Sequence, residues 1–268
     1  MLKYFQEIYT QVVEYLITKG QDETEVVQVN PKGDRTKAFD YNTEEMILDY
    51  FERALPYPVK VLTEERGEVS LGSGSAEYTI VIDPVDGSDN FTRGLGMTGF
   101  SIAAIPAGEA LTIDSVRYGF VGHIYLKKIF TFRKGHGAYC NGEKLTSSHQ
   151  NELQNALISA YILGDRKEYL ERMYPLLQQL TNLRCFGSAA YEICLVASGG
   201  LEAYIDIRNR RLTPENFIAA APMLQEAGGI ITDEHGEKLA PIDRLDHGYN
   251  FVASGNRELH EAILKYLS

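Results

Sequence analysis

Ile80-Val81-Ile82-Asp83-Pro84-Val85-Asp86-Gly87-Ser88-Asp89-Asn90-Phe91 is the densest chemical signal in the chain. Three β-branched residues read as a strand, and they run straight into two carboxylates spaced three apart. Pro84 fixes φ and Gly87 permits a tight turn, so Asp83 and Asp86 are expected to converge at a strand end. The residues that follow read as a helix start, whose outward N–H groups suit an anion. Such a strand end is a place for a metal ion and a phosphate together. Asp-Pro-x-Asp-Gly is also ordinary turn chemistry, and taken alone the stretch supports either reading. An EF-hand is excluded: with Asp83 at position 1, Gly94 falls at position 12, where that loop needs Glu.

Upstream, Val61-Leu62-Thr63-Glu64-Glu65 ends a second short strand with two more carboxylates. Mg²⁺ prefers oxygen ligands and keeps waters, so carboxylates from two neighbouring strand ends could hold two ions. Further out, Leu2, Phe5, Tyr9, Val12, Val13 and Leu16 recur at helical spacing before a stop at Gly20. Asn42 with Glu45 resembles a capping box, opening a helix that Pro56 and Pro58 end, and Asn30 to Lys37 reads as a polar loop. Short β-rich runs at 59–62, 78–82, 100–105, 115–120 and 128–132 predict a largely antiparallel sheet. From about residue 156, strand and helix alternate, with helices expected over 167–181, 188–197 and 217–227 and a last one opened by Asn256. The division is therefore an N-terminal α+β half, 1–150, carrying the metal site, and a C-terminal α/β half, 151–268, packed as one compact unit.

The 268 residues include 26 basic and 37 acidic side chains, a net charge of −11, and 44% hydrophobic residues. That is an ordinary globular composition, long enough to bury a core without disulfides or a structural metal. Eleven excess negative charges argue against nucleic-acid binding through counterion release and leave small molecules as the expected partners. Cys140, Cys185 and Cys194 form no Cys-x-x-Cys pair, which fits a reducing cytoplasm. Lys3, Glu7 and Glu14 interrupt the first apolar stretch, and no run reaches the ~18 apolar residues of a membrane span.

Competing motifs are weaker. Gly94-Leu95-Gly96-Met97-Thr98-Gly99, with Asp114 beyond it, fits the dinucleotide fingerprint by letter, but a β-like run follows where that motif needs a helix. Gly72-Ser73-Gly74-Ser75 lacks the Gly-Lys-Ser/Thr ending of a Walker loop and reads as a flexible turn. Histidines 123, 136, 149, 235, 247 and 260 are scattered and expected on the surface or in loops, and no Gly-x-Ser-x-Gly elbow occurs.

The residues from Asp83 to Phe91 resemble the signature of the inositol monophosphatase superfamily, the Mg²⁺-dependent, lithium-sensitive phosphatases that include fructose-1,6-bisphosphatases. Glu64-Glu65, Gly135 to Gly142, Gly187-Ser188-Ala189-Ala190 and Glu226-Ala227-Gly228-Gly229 look like its other motifs. The segment Asp34 to Asp40, with Glu44 and Asp206-Ile207-Arg208, looks most like archaeal dual-activity members. The resemblance implies a layered αβαβα sandwich, two or three Mg²⁺ ions, a small phosphorylated substrate and a homodimer. It implies that Glu64, Asp83, Asp86 and the Val85 carbonyl hold the ions, while Ser88 and Asp40 form a hydrogen-bonded pair that, with Glu64, orients and activates the attacking water. The N–H groups of Gly87 and Ser88 would cradle the phosphate; Asp86, Gly187, Ser188 and Ala189, with Arg184 and Arg208, would contact the substrate. The family's last ligand precedes the Glu-Ala-Gly-Gly motif: counting back from Glu226 gives Asn216, counting forward from Asp206 gives Glu215, and a carboxylate favours Glu215. Two other readings compete, a homologue that binds metal or phosphorylated ligand without turnover, and an NAD-dependent oxidoreductase using the glycines at 94–99.

Overall fold

The β-branched run at residues 80–82 lies within a nine-residue strand from which the rest of the fold can be laid out. A computed structural model describes all residues except 31–32, 34, 163–166, 209, 243, 245 and 268, so Asp34 of the resembling segment lies outside the described residues. The first half comprises α1 (Leu2–Thr18), β1 (Val26–Val29), β2 (Arg35–Lys37), α2 (Ala38–Ala54), β3 (Val59–Thr63), β4 (Gly67–Leu71), β5 (Tyr78–Asp86), α3 (Ser88–Thr92), β6 (Gly99–Pro106), β7 (Tyr118–His123), β8 (Ile129–Arg133), β9 (Gly137–Cys140) and β10 (Glu143–Lys144). The second comprises β11 (Leu157–Ala160), α4 (Lys167–Leu177), β12 (Asn182–Arg184), α5 (Ala189–Ala197), β13 (Ala203–Asp206), α6 (Ala221–Glu226), β14 (Ile230–Thr232), β15 (Phe251–Ser254) and α7 (Arg257–Leu267).

Strands β10-β9-β8-β7-β6-β5-β3-β4 form an eight-stranded sheet, antiparallel except where β3 runs parallel to β5. A mixed five-stranded sheet has the order β12-β11-β13-β15-β14. The period-two alternation of strand side chains decides what covers each face. On β5, Ile80 and Ile82 point into a core shared with Phe5, Val12 and Phe51 of α1 and α2, while Val81 points to the opposite core, with α5 and α6. On β13, Tyr204 faces α5 and α6, whereas Ala203 and Ile205 face α4 and α7. The result is a five-layer α–β–α–β–α sandwich. Helix α5 lies between the two sheets, and eight of its nine residues are buried, so an apolar run rather than an amphipathic stripe suits it. Among the described residues no helix is long and apolar enough to cross a membrane.

Several sequence expectations change. Helix α2 begins at Ala38, four residues before Asn42, because Lys37 is its extended N-cap and the Asp40 carboxylate accepts the Lys37 N–H. Asn42 therefore sits inside the helix, where its amide donates to Glu23 Oε2 at 2.7 Å and ties α2 to the end of α1. The stretch read as a loop contributes β2, which pairs antiparallel with β1. The helix expected over 217–227 shortens to α6, preceded by a 3₁₀ turn at Pro214–Asn216. Gly94–Gly99 leads into strand β6, not a helix, so the dinucleotide motif lacks its context.

Two histidines expected at the surface are core residues. His123 is fully buried, its Nδ1 accepts the N–H groups of Tyr125 and Leu126 at 3.1 and 3.0 Å, and its ring packs on Tyr191. Burial lowers both it and His260 to about 4, so each is neutral near pH 7. Tyr9 of α1 reaches across to donate to the His123 carbonyl at 2.7 Å, with its ring against Phe100 and Phe120. Gly122 leaves room for that ring: a Cβ there would lie 2.3 Å from Tyr9 Cε2. Gly122→Ala should lower stability by about 1–3 kcal/mol, read as a reduced urea midpoint at unchanged m-value; an unchanged midpoint would contradict this packing.

Candidate metal and phosphate site

In an unbroken strand, residues three apart point to opposite faces, so Asp83 and Asp86 could not share a site. Asp83 pairs with Ser101 and Asp86 with Gly99, which leaves one extra residue on β5. This bulge sits at Pro84, which has no N–H to give to the ladder, and it restores both carboxylates to one side. The Val85 N–H donates to Asp83 Oδ1 at 3.2 Å and holds the bulge. Gly87 then takes φ +91°, and a side chain there would strike the carbonyls of Met97 and Gly187 at 2.9 and 3.0 Å. Both conformation and space require glycine before α3 begins at Ser88.

Asp86 reaches into the other half. Its Oδ2 accepts from Ser188 Oγ at 2.8 Å and from the Tyr191 N–H at 3.1 Å, and the N–H groups of Ala189 and Ala190 also bond to its carboxylate. A strand-end carboxylate from the first sheet thus caps the N-terminus of α5, where unpaired N–H groups and the helix dipole favour it. Burial nevertheless raises Asp86 to about 6, so desolvation outweighs these bonds. Ser188 is fully enclosed, and its own N–H donates to Glu192 Oε2 at 2.9 Å, so its polar groups face Asp86 and Glu192 rather than open space. Asn90 strengthens the same seam, donating to the carbonyls of Met97 at 2.8 Å and Phe186 at 2.6 Å.

Glu64 is half-buried at the end of β3, and its charge acts on both Asp83 and Asp40. Asp40 is raised well above the usual carboxylate range by burial, then by Glu65 and Glu64. Among the described residues no hydrogen bond joins it to Ser88. Beneath this turn lies Glu44, which sequence reading linked to the site only by resemblance. It is fully buried, accepts the Glu65 N–H at 3.1 Å and pairs with Arg66 at 3.4 Å, and burial raises it to about 7.

The 3₁₀ turn brings both candidates for the last ligand to Asp83. Asn216 closes a capping box, its Oδ1 accepting the Thr213 N–H at 3.0 Å, and its Nδ2 donates to Asp83 Oδ2 at 3.1 Å. Glu215 is buried, its Oε1 accepts from Thr213 Oγ1 at 2.6 Å, and its charge is felt at Asp83. Of the candidate substrate residues, Gly187 lies directly beside Gly87, and Ala189 at the capped end of α5. Tyr161 borders Gly187, and Arg208 stacks over the Tyr161 ring at 3.4 Å while gripping the buried Asp206 through Nε at 3.0 Å. Arg184 is exposed, on an edge strand, with its guanidinium on the Leu183 carbonyl.

No three His, Cys, Asp or Glu side chains among the described residues meet in a finished liganding array. Asp83 is occupied by Asn216 and Asp86 by α5. What stands instead is electrostatic crowding: burial, then Glu64, Asp86 and Glu215, push Asp83 well above its ordinary range. Carboxylate oxygens from β5, the end of β3 and the 3₁₀ turn, crowding one buried carboxyl, are the donor chemistry of a hard divalent cation, and on that ground the residues fit one. Carboxyls with raised pKa values hold protons near pH 5 that a cation must displace, and release them as pH rises. Saturating Mg²⁺ should therefore raise the melting temperature by roughly 5 °C at about pH 7.5 and far less at about pH 5. An equal shift at both pH values, or none, would contradict the crowding.

Comparisons with known proteins identify the family. The sequence profile of the inositol monophosphatase family matches residues 3–268. A fructose-1,6-bisphosphatase/inositol-1-monophosphatase from Methanothermobacter thermautotrophicus is 32% identical over 253 residues, spanning 92% of this chain and 88% of that protein. Its namesake from Methanocaldococcus jannaschii is 32% identical over 266 residues, spanning 98% and 96%. The crystal structure of an inositol monophosphatase–fructose 1,6-bisphosphatase aligns with a TM-score of 0.80 at 30% identity, across 98% of this chain and 96% of that one. The family is metal-dependent in general and acts on small phosphorylated substrates. With its profile matched from end to end and its layered sandwich shared, this chain belongs to the inositol monophosphatase family.

Proposed function

We propose that this chain is a Mg²⁺-dependent phosphatase hydrolysing small sugar or inositol phosphate monoesters, inositol monophosphate, fructose 1,6-bisphosphate or both. The observation that carries the reading is the crowd of four carboxylates, Glu64, Asp83, Asp86 and Glu215, at a bulged strand end beside the start of α3. These side chains, with the Val85 carbonyl, would hold two or three Mg²⁺ ions. Bound there, Mg²⁺ supplies charge neutralisation for the phosphate and a water acidic enough to attack near neutral pH.

The remaining steps fall to the chain's own groups. The N–H groups of Gly87 and Ser88 hold the phosphate where the helix start favours an anion. Asp40 and Ser88, with Glu64, orient the attacking water in line with the leaving oxygen, so direct displacement needs no covalent intermediate. Asp86, Gly187, Ser188 and Ala189 shape the substrate side, Asp86 and Ser188 by holding it rigid, and Arg208 on its Tyr161 platform faces the sugar, with Arg184 further out. The site lies at the seam of two halves, 1–150 and 151–268. A homodimer in a reducing cytoplasm completes the reading, supported by family resemblance and by cysteines that form no Cys-x-x-Cys pair. Binding without turnover is the second reading, favoured by the Asn216 amide that occupies Asp83.

The test is phosphate release from inositol 1-phosphate, fructose 1,6-bisphosphate and 3′-phosphoadenosine 5′-phosphate, with Mg²⁺ and with excess chelator. Chelator-sensitive release is expected; folded protein that binds Mg²⁺ and releases nothing would favour the second reading. Asp83→Asn should lower turnover at least about 100-fold while leaving the protein folded. Unchanged turnover would refute the assignment. Of Glu215→Gln and Asn216→Ala, made separately, the first should raise the Mg²⁺ requirement more; no effect of Glu215→Gln would make Asn216 the ligand.

A further inference from the structure

Helix α5 carries one carboxylate in an otherwise largely apolar buried run, and it takes no part in the proposed reaction. Glu192 is 1% exposed. Its Oε2 accepts the Ser188 N–H at 2.9 Å, it accepts the Phe186 N–H as well, and its Oε1 accepts from Ser159 Oγ on β11. The Phe186–Ser188 loop is thus gripped from beneath by a single carboxylate. From above, the same loop meets the first half of the chain: Ser188 Oγ donates to Asp86, Asn90 donates to the Phe186 carbonyl, and the Gly187 carbonyl occupies the space a side chain at Gly87 would need.

We propose that Glu192 is a positioning residue for Asp86, acting through Ser188. Its Oε2 sets the height of the loop while Oε1 is anchored to Ser159, the loop aims the Ser188 hydroxyl, and that hydroxyl fixes one oxygen of Asp86. Ser159 supports Glu192 from β11, so the chain of contacts runs Ser159, Glu192, Ser188, Asp86, from the second sheet to the first. Asp86 must present its carboxylate in one orientation while caught between the α5 N–H groups and a cation, and groups behind a ligand commonly set that orientation. The inference rests on the reading of Asp86 as a Mg²⁺ ligand.

The experiment compares wild type with Glu192→Gln, Glu192→Asp, Glu192→Ala and Ser159→Ala well below their melting temperatures. It measures kcat, KM and the Mg²⁺ concentration at half-maximal phosphate release, with calorimetric Mg²⁺ affinity alongside. Gln keeps an acceptor of the same reach and should stay near wild type. Asp keeps the charge but is one methylene too short to hold Ser188 and Ser159 together, so its Mg²⁺ requirement should rise about tenfold, with kcat falling more than KM changes. Ala should shift further, and Ser159→Ala in the same direction by less. A purely structural role would lower the melting temperature and leave these constants alone. Wild-type constants in folded Glu192→Asp overturn the proposal even if Glu192→Ala does not fold. If wild type itself shows no Mg²⁺-dependent release, the phosphatase reading fails, and the calorimetric affinities alone decide the role of Glu192.

Discussion

One buried carboxylate joins the two sheets. Asp86 ends β5 of the eight-stranded sheet and caps α5, the helix that fills the space under the five-stranded one. Capping satisfies N–H groups that would otherwise be orphaned inside the protein, where no water reaches them. The displacement of Asp86 to about 6 corresponds to roughly 3 kcal/mol favouring its neutral form, so the cap only partly offsets the cost of burying charge. Everything around it follows from holding that group: the bulge at Pro84, the glycine at 87, the Ser188 hydroxyl and Glu192 behind it.

The same residues explain why stability and function pull apart. Asp83, with Glu64, Asp86 and Glu215 acting on it, is poorly placed in a cation-free protein, since burial and each of these carboxylates make it harder to ionise. Structural networks normally pair such charges. Here the nearest partner of Asp83 is an amide, Asn216, which relieves the repulsion without neutralising it. A site that stays unfavourable until an ion and an anion arrive together is suited to phosphate chemistry in a protein carrying a net charge of −11.

Much of this is legible in the residues alone. The strand into Asp83 and Asp86 is readable because β-branched residues, Pro and Gly each dictate their local backbone, and the spacing of Phe5, Tyr9, Val12 and Leu16 marks α1 through simple periodicity. Other features depend on contacts distant in sequence. Asn42 with Glu45 has the letters of a capping box, yet Asp40 and Lys37 start the helix earlier, and Asn42 serves Glu23 instead. His123 is indistinguishable from a loop histidine until Tyr191 and the turn after β7 enclose it. The choice between Glu215 and Asn216 stays open to counting because the 3₁₀ turn delivers both to Asp83. Glu192 did leave a signal, a lone charge in the apolar run from Ala189 to Ala197, which periodicity alone treats as noise.

Asp83 and Asp86, buried and with raised pKa values, give up protons when a cation binds. Calorimetric titration with Mg²⁺ near pH 7, repeated in two buffers of different ionisation enthalpy, counts the protons released on binding. Binding with net proton release, diminishing as pH rises, is the result expected from the raised pKa values of Asp83 and Asp86. Binding without proton release, or no binding by folded protein, would contradict the account.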